Sequence, residues 1–225
     1  MHLLRKSGEP PSRDRSPASP GETPGVSTGR LEAFSDGVMA VAITLLVLNI
    51  DLPDLANGET LGHGLAAQWP VYAAYVVSFL TIGIIWINHH VMISRLREAD
   101  RTILFLNLLL LMSIAVLPFA TKLIAEYLRK SSGQHVAAAV YSGAFFVMAV
   151  FFATLNAHIL LAKHHRLATP LPEERRRQIL SRATVGVVPY AVATALAAVS
   201  SYLTLAICGA LALFYALPVG SGGNE

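Results

Sequence analysis

Charged residues are scarce in this chain of 225 residues. They make up 14% of the sequence, whereas an ordinary soluble domain carries about 25%. Hydrophobic residues reach 54%, and the mean hydropathy is +0.54. A soluble globule of this length would not cover its exterior with so few charges. The composition therefore argues against a soluble enzyme, a nucleic-acid-binding domain and a disordered protein, and it predicts a polytopic α-helical membrane protein.

Cysteine is rare, and the common catalytic motifs are missing. The single cysteine, Cys208, excludes an intrachain disulfide and a cysteine-based zinc site. There is no Walker-type phosphate loop, no G-x-S-x-G and no H-E-x-x-H. His89 and His90 are adjacent, so they project about 100° apart on a helix and suit a shared metal ion poorly. We predict that the protein is not an enzyme and uses no metal or other cofactor.

What the chain does contain is six apolar segments, each of about the length that spans a bilayer. They cover residues 31–50, 69–92, 103–124, 136–162, 183–199 and 202–219. Each is predicted to be a helix, because backbone polar groups in hydrocarbon must be satisfied within the segment. Pro118 and Pro189 lie inside the third and fifth segments and are predicted to kink them. We expect one membrane domain over 30–219, a disordered tail over 1–29 and a short tail over 220–225.

Lysine and arginine are distributed unevenly between the loops. Of the 17 such residues, 14 lie in the N-terminal tail and in the loops after the second and fourth segments. The loop after the first segment has none, and the remaining three lie at the end of the third segment and in the loop after it. Because positively charged loops remain on the cytoplasmic side, the pattern predicts six spans with both termini in the cytoplasm.

One acidic residue, Asp36, lies clearly inside a predicted span. An ionisable group within the membrane is costly and marks a functional site by default. We expect a polar group of the second or third segment to hydrogen-bond Asp36 or its neighbour Ser35. The candidates at similar depth are Asn88, His89, His90 and Asn107.

A helical projection at about 100° per residue sorts the first segment into two faces. Asp36 lies on one side. The opposite, narrow face has Thr44 beside it and carries Phe34, Gly37, Val41, Leu45 and Leu48. Such a stripe suits lipid contact or core packing. The same geometry suits rings of aliphatic side chains around a central axis, which would form a hydrophobic constriction.

The residues of the first three segments also resemble a known family. The pattern Arg30-x-x-x-Phe34-Ser35-Asp36 and the apolar run over 40–48 are similar to the first-helix signature of the transmembrane protein 175 family, the endolysosomal potassium channels. The likeness extends to Trp86-x-x-His89-His90 and to Asn107…Pro118-Phe119. It covers about residues 30–217, and the single six-helix unit resembles the prokaryotic branch.

This resemblance implies a homotetramer with six transmembrane helices per subunit, in which the first helix lines a central pore. It implies a potassium-permeable cation channel of the prokaryotic cell membrane, with the lipid bilayer, K⁺ and other monovalent cations as partners and no nucleic acid. The constriction would consist of aliphatic rings with threonine adjacent, at Val41, Leu45, Leu48 and Thr44. A structural polar network joining the first helix to the next two would include Arg30, Phe34, Ser35 and Asp36.

Two alternatives use the same features differently. A proton-conducting channel or a proton-coupled secondary transporter would use Asp36 and His89 as a proton relay. The transporter lacks support from an inverted repeat or from broken helices in matching positions. A membrane scaffold without transport activity is the second alternative. Uncoupled, non-saturating flux along the ion gradient would separate a channel from a carrier, and a tetramer without flux would favour the scaffold.

The predicted topology can be tested by cysteine labelling in intact cells, in a Cys208→Ala background. A cysteine added after Glu225 should not react with a membrane-impermeant maleimide, because the C-terminus is expected inside. As the control, Asn57→Cys in the loop after the first segment should react. Labelling of the C-terminal cysteine from outside would show that the orientation is wrong.

Overall fold

The structure is a computed structural model that describes residues 27–55, 58–130 and 132–216. Most of the tail predicted over 1–29, and all of the tail predicted over 220–225, lie outside the described residues. Thr28 and Gly29 already belong to the first helix. The described residues form helices and connecting loops, and the extended pairing found among them is an isolated antiparallel bridge between Leu96 and Leu167. The predicted all-helical class is therefore confirmed.

Eight α-helices make up most of the described chain. They are α1 (Thr28–Val47), α2 (Leu61–Ala67), α3 (Trp69–Ser94), α4 (Arg101–Ala115), α5 (Leu117–Tyr127), α6 (Gln134–Ala157), α7 (Glu173–Leu196) and α8 (Ser201–Ala216). A π-helical turn (His158–Ala162) and a short 3-10 turn (His164–Arg166) follow α6. Each of the six predicted apolar segments is helical over most of its described residues, with α4 and α5 together forming the third. Residues 217–219 of the sixth segment lie outside the described residues.

Four of these helical stretches are long and apolar enough to cross a membrane. They are Trp69–Ser94, Arg101–Tyr127, Gln134–Ala162 and Glu173–Leu196. The remaining two long helices differ from them. Helix α8 has 16 residues, and α1 carries Arg30, Glu32 and Asp36 within 20 residues. The count of six spans stays a prediction.

The two internal prolines have different effects on their helices. Helix α4 ends at Ala115, and α5 begins at Leu117 with Pro118 in its first turn. Proline is tolerated there because the first N–H groups of a helix have no intrahelical acceptor. In contrast, α7 continues through Pro189. Helix α7 also begins ten residues before the predicted start of the fifth segment, at Glu173, where Glu173 and Glu174 suit the positive end of the helix dipole.

Helix α6 lies at the centre of the bundle and packs against α4, α5, α7 and α8. Its side chains Tyr141 and Phe145 are fully buried and make an edge-to-face contact with ring centroids 4.8 Å apart. The Ser78 hydroxyl lies 3.1 Å from the Tyr141 hydroxyl and 2.8 Å from the Thr121 hydroxyl. These bonds join α3, α5 and α6, as expected where close packing and interhelical hydrogen bonds hold helices together in lipid.

Two loops at one end of the bundle are tied together. The Arg97 N–H donates to the Arg166 carbonyl at 2.9 Å, and the Ala168 N–H donates to the Arg95 carbonyl at 2.8 Å. The tie therefore connects the α3–α4 loop to the segment between α6 and α7. It fixes the backbone at the end of α3.

Asp100 stabilises the same end of the bundle through two contacts. Its carboxylate caps α4 by accepting the Ile103 N–H at 2.9 Å, and it pairs with the Lys163 ammonium at 3.1 Å. Burial alone raises the pKa of Asp100, but the Ile103 hydrogen bond and Lys163 outweigh it and lower that pKa below its usual range. The ionised carboxylate is therefore the form that the fold stabilises.

Substitution of Asp100 should separate these two contacts. Asp100→Asn keeps a good N-cap and loses the ion pair, whereas Asp100→Ala loses both, at a cost of about 1–2 kcal/mol. Thermal unfolding of the purified protein at pH 7 should rank wild type above Asp100→Asn, with Asp100→Ala lowest. Because the folded pKa is depressed, the contribution of the carboxylate is present above the unfolded pKa of about 3.9 and is lost as the pH falls through the folded pKa. Equal melting temperatures for wild type and Asp100→Ala at pH 7 would contradict this account.

Candidate ion pathway and polar network

The aliphatic stripe of α1 faces outward from the subunit. Val41 is 57% exposed, Leu45 42% and Leu48 68%. Met39 and Leu46, on the other side of the helix, are fully buried. This buried side packs against α3, α4 and α5, so the rotation of α1 leaves Val41, Leu45 and Leu48 on the outer side of the described bundle.

A shallow apolar groove runs along this stripe. Phe34, Gly37, Val41 and Leu45 line it from α1, and Ala115 lines it from the end of α4. The absence of a side chain at Gly37 leaves room for another helix to approach closely. The groove is therefore an apolar surface on which another helix can pack.

Thr44 is exposed beside the stripe. Its hydroxyl donates to the Val41 carbonyl, with an oxygen-to-oxygen distance of 2.9 Å. Because the hydroxyl hydrogen is used within the helix, the lone pairs of the oxygen can face a cation. Thr44 is thus the one oxygen-bearing side chain of the predicted constriction set.

A buried chain of hydrogen bonds joins α1, α4 and α3. The Ser35 hydroxyl donates to the Leu31 carbonyl at 2.8 Å, and the Asn107 amide donates to the Ser35 oxygen at 2.9 Å. The Nε2 atom of His89 lies 2.7 Å from the Asn107 oxygen. Ser35, His89 and Asn107 are all fully buried.

The donor and acceptor roles in this series of hydrogen bonds determine the tautomer of His89. An amide oxygen only accepts hydrogen bonds, so Nε2 of His89 carries a hydrogen and donates it to Asn107. The other ring nitrogen, Nδ1, is buried and has no hydrogen-bond partner among the described residues. The neutral Nε2–H imidazole accounts for the geometry, since a second hydrogen on Nδ1 would be a buried donor without an acceptor.

Asp36 has a partner that the sequence pattern did not suggest. Its Oδ1 atom accepts a hydrogen bond from the indole N–H of Trp86 at 2.9 Å. None of the four expected candidates takes this place, although Asn107, one of them, bonds Ser35. The available signal was the position of Trp86 three residues before His89, which puts both side chains on one face of α3.

Further contacts hold both ends of α1. His90 Nδ1 lies 2.6 Å from a carboxylate oxygen of Glu32. At the other end, the Asn49 amide donates to the Pro118 carbonyl at 2.9 Å. This carbonyl lies in the first turn of α5, next to the break after α4, so the proline that interrupts the third segment also serves to anchor α1.

The structure brings together only part of the predicted network. Ser35, His89 and Asn107 form the buried series of hydrogen bonds, whereas Asp36 bonds separately to Trp86 on α3. Arg30 and Phe34 are exposed on the single subunit, and their place in the network stays a prediction. The described residues contain no group of three His, Cys, Asp or Glu side chains able to hold a metal ion.

Comparison with known proteins identifies the family. Residues 30–118 match the model described as "Endosomal/lysosomal potassium channel TMEM175". The chain is 49% identical to a potassium channel of Streptomyces collinus, over 84% of this chain and 91% of that protein. It is 30% identical to the human "Endosomal/lysosomal proton channel TMEM175", over 74% of this chain and 34% of that protein.

A solved structure gives the same result at the level of the fold. The crystal structure of a lysosomal potassium-selective channel TMEM175 homologue from Chamaesiphon minutus matches with a TM-score of 0.75 and 39% identity. The match covers 86% of this chain and 98% of that one. The resemblance of the first three segments is confirmed, and this protein belongs to the TMEM175 family.

Proposed function

We propose that this protein is a potassium-permeable channel in which α1 helices from four subunits surround a central pore. Each subunit would place six helices in the membrane, within a domain over 30–219. The observation that carries the proposal is the outward stripe of Val41, Leu45 and Leu48 on a helix that is otherwise held firmly against its own subunit. The potassium channel of Streptomyces collinus supports the choice of ion.

The composition of α1 favours a pore over a lipid-facing position. Arg30, Glu32 and Asp36 lie within its first three turns, and charged groups facing hydrocarbon are costly. A helix with such an end is better accommodated beside protein and water. The apolar half carrying Val41, Leu45 and Leu48 would then be surrounded by its symmetry mates and would form stacked rings.

The rings would act on ions through hydration. A narrow apolar ring resists a hydrated cation, because the ion must lose water and no side-chain oxygen replaces it. Thr44 oxygens next to the rings would provide partial coordination. Potassium loses its water more easily than sodium, so this arrangement gives a modest preference for potassium. The flux would be passive and would follow the ion gradient, with no chemical reaction.

The polar network would hold the rings in register. A rotation of α1 would break the Ser35–Asn107 and Asp36–Trp86 bonds and would leave buried polar groups unpaired. The contacts therefore support a structural role for Asp36, away from the pore. We place the channel in a prokaryotic cell membrane with both termini cytoplasmic, as suggested by its bacterial relatives and by the positively charged loops.

Proton conduction is the second candidate function. The human relative carries the name of a proton channel, and water transiently filling an apolar constriction would also carry protons. A relay between Asp36 and His89 finds less support, because these side chains hydrogen-bond to different partners, Trp86 and Asn107. Reversal potentials under a pH gradient, with K⁺ equal on both sides, would measure the proton share of the current.

The constriction can be tested by adding polarity at one ring. Leu45→Asn should raise the conductance and weaken the discrimination between potassium and sodium, because the side chain lowers the dewetting barrier. The measurement is the reversal potential of reconstituted channels under bi-ionic K⁺/Na⁺ conditions. The matched control is Val47→Asn, which alters a half-exposed aliphatic residue of the same helix outside the groove. Unchanged current and selectivity in an intact Leu45→Asn tetramer would refute the proposed pore.

The polar network can be tested by removing its central member. Asn107→Leu deletes the bonds to Ser35 and His89, and should destabilise the protein by about 1–3 kcal/mol. The variant should show a lower melting temperature and a lower tetramer yield, while the surviving channels keep their ion selectivity. Asn88→Leu is the control, because Asn88 is exposed and donates only within α3, to the Ile84 carbonyl. Normal assembly of Asn107→Leu with altered selectivity would indicate a direct role in conduction.

A further inference from the structure

A second cavity lies on the side of the bundle away from α1. It has a volume of about 360 Å³ and is bounded by α3, α6, α7 and α8. Helix α1 packs instead against α3, α4 and α5. Only α3 is shared by the two regions, so the proposed pore does not account for this cavity.

Three arginines line the mouth of the cavity. Arg95 follows the last residue of α3, and Arg175 and Arg182 lie two turns apart on one face of α7. Among the described residues, no carboxylate lines the wall. The nearby Glu173 pairs with a different arginine, Arg177. The mouth thus carries positive charge without a compensating acidic group in its lining.

The surroundings of Arg95 reinforce this imbalance. Burial, together with the like charge of Arg175, lowers the pKa of the Arg95 guanidinium. The group still remains protonated at neutral pH. Its backbone is fixed by the bond from the Ala168 N–H, so the end of α3 cannot easily move away from α7. An anion between the two helices would relieve the repulsion.

The interior of the cavity is mostly apolar. Below the arginines, its walls are formed by side chains such as Ile84, Ile85, Met148 and Phe152. The inner end lies near Thr81 and Tyr190. From Arg182, the arginine nearest to the inner end, to Tyr190 helix α7 rises by about 12 Å, which is close to the roughly 15 Å of hydrocarbon in one leaflet. A cationic mouth above an apolar shaft of this length matches the two parts of one lipid molecule.

We propose that this cavity binds an anionic phospholipid from the leaflet at the end of α3. Arg95, Arg175 and Arg182 hold the phosphate, and an acyl chain lies between α3 and α7. Charge complementarity selects the head group, since basic pockets between helices attract anionic lipids. The positive-inside distribution puts this end of the bundle at the cytoplasmic leaflet, where anionic lipids give a negative surface potential.

The ligand class can be tested by titrating the full-length protein in a neutral detergent. The probes are phosphatidylglycerol, phosphatidylcholine with the same acyl chains, glycerol phosphate and inorganic phosphate. Binding is read as the rise in melting temperature and by native mass spectrometry. Phosphatidylglycerol should bind, and the other three should bind at least tenfold more weakly. Equal binding of phosphatidylcholine would refute charge selection, and equal binding of either soluble phosphate would show that the apolar shaft is not used.

The site can be tested with paired variants that separate the head-group and chain contacts. Arg95→Gln and Arg182→Gln should each weaken phosphatidylglycerol binding about fivefold, as expected for one arginine near an anionic head group. Arg177→Gln is the control for charge, because Arg177 lies on the same helix outside the cavity. Ala183→Phe should fill the shaft and weaken binding, whereas Val185→Phe, at an exposed position outside it, should not.

The variants also decide between binding at this cavity and binding elsewhere. Each is compared only where gel filtration shows the wild-type oligomer, so loss of folding is not counted as loss of binding. Equal losses for Arg177→Gln and Arg95→Gln would mean that the lipid responds to overall charge and would overturn the proposal. Unchanged binding in Ala183→Phe would overturn it as well.

Discussion

The buried hydrogen bonds between Ser35, Asn107 and His89 oppose rotation of α1 against α3 and α4. In lipid, apolar helices gain little by packing their apolar faces together, so polar contacts and close packing determine how they are rotated. Ser35 and Asn107 each donate one hydrogen bond and accept one, and His89 donates through Nε2. A turn of α1 would therefore leave the Asn107 amide without its acceptor on Ser35 in a dry interior. The outward direction of Val41, Leu45 and Leu48 is a consequence of this arrangement.

Helix α3 borders both the region around α1 and the cavity. On one side of α3, Trp86 and His90 contact α1 and His89 bonds α4. Helices α6, α7 and α8 enclose the cavity on its other side. The loop tie between Arg95 and Ala168 fixes the end of α3 where the arginines gather. A lipid bound there would contact α3, the helix that positions α1. Binding of the lipid would thereby act on the position of α1 in the proposed pore.

Much of the fold follows from features that are local in the sequence. Apolar segments of bilayer length predict helices directly. The helical periodicity of the first segment places the aliphatic stripe and Asp36 on opposite faces without any information on tertiary contacts. The errors arose where neighbouring elements decide. The break at Val116 occurs where α5 begins at Leu117 with Pro118 in its first turn. The early start of α7 at Glu173 depends on a charged first turn, which a hydropathy profile excludes from the apolar segment.

The site was harder to predict because its partners are distant in sequence. Ser35 and Asn107 were both recognised as polar groups at similar depth, but which group bonds Asp36 depends on the rotation of α3. The indole N–H of Trp86 is not evident as a donor from the sequence, because tryptophan is counted among the apolar residues of a membrane segment. The three cavity arginines come from the end of α3 and from α7, and they form one cluster only because these two helices border the same cavity.

The most direct test of the account is the accessibility of α1 to a reagent that enters the conduction path. Single cysteines at Val41, Leu45 and Leu46 in a Cys208→Ala background can be exposed to Ag⁺ while the potassium current is recorded. The account predicts rapid block at Val41→Cys and Leu45→Cys and no block at Leu46→Cys, which is buried against the subunit core. Block at position 46 without block at position 45 would show that another face of α1, and hence another rotation, lines the pore.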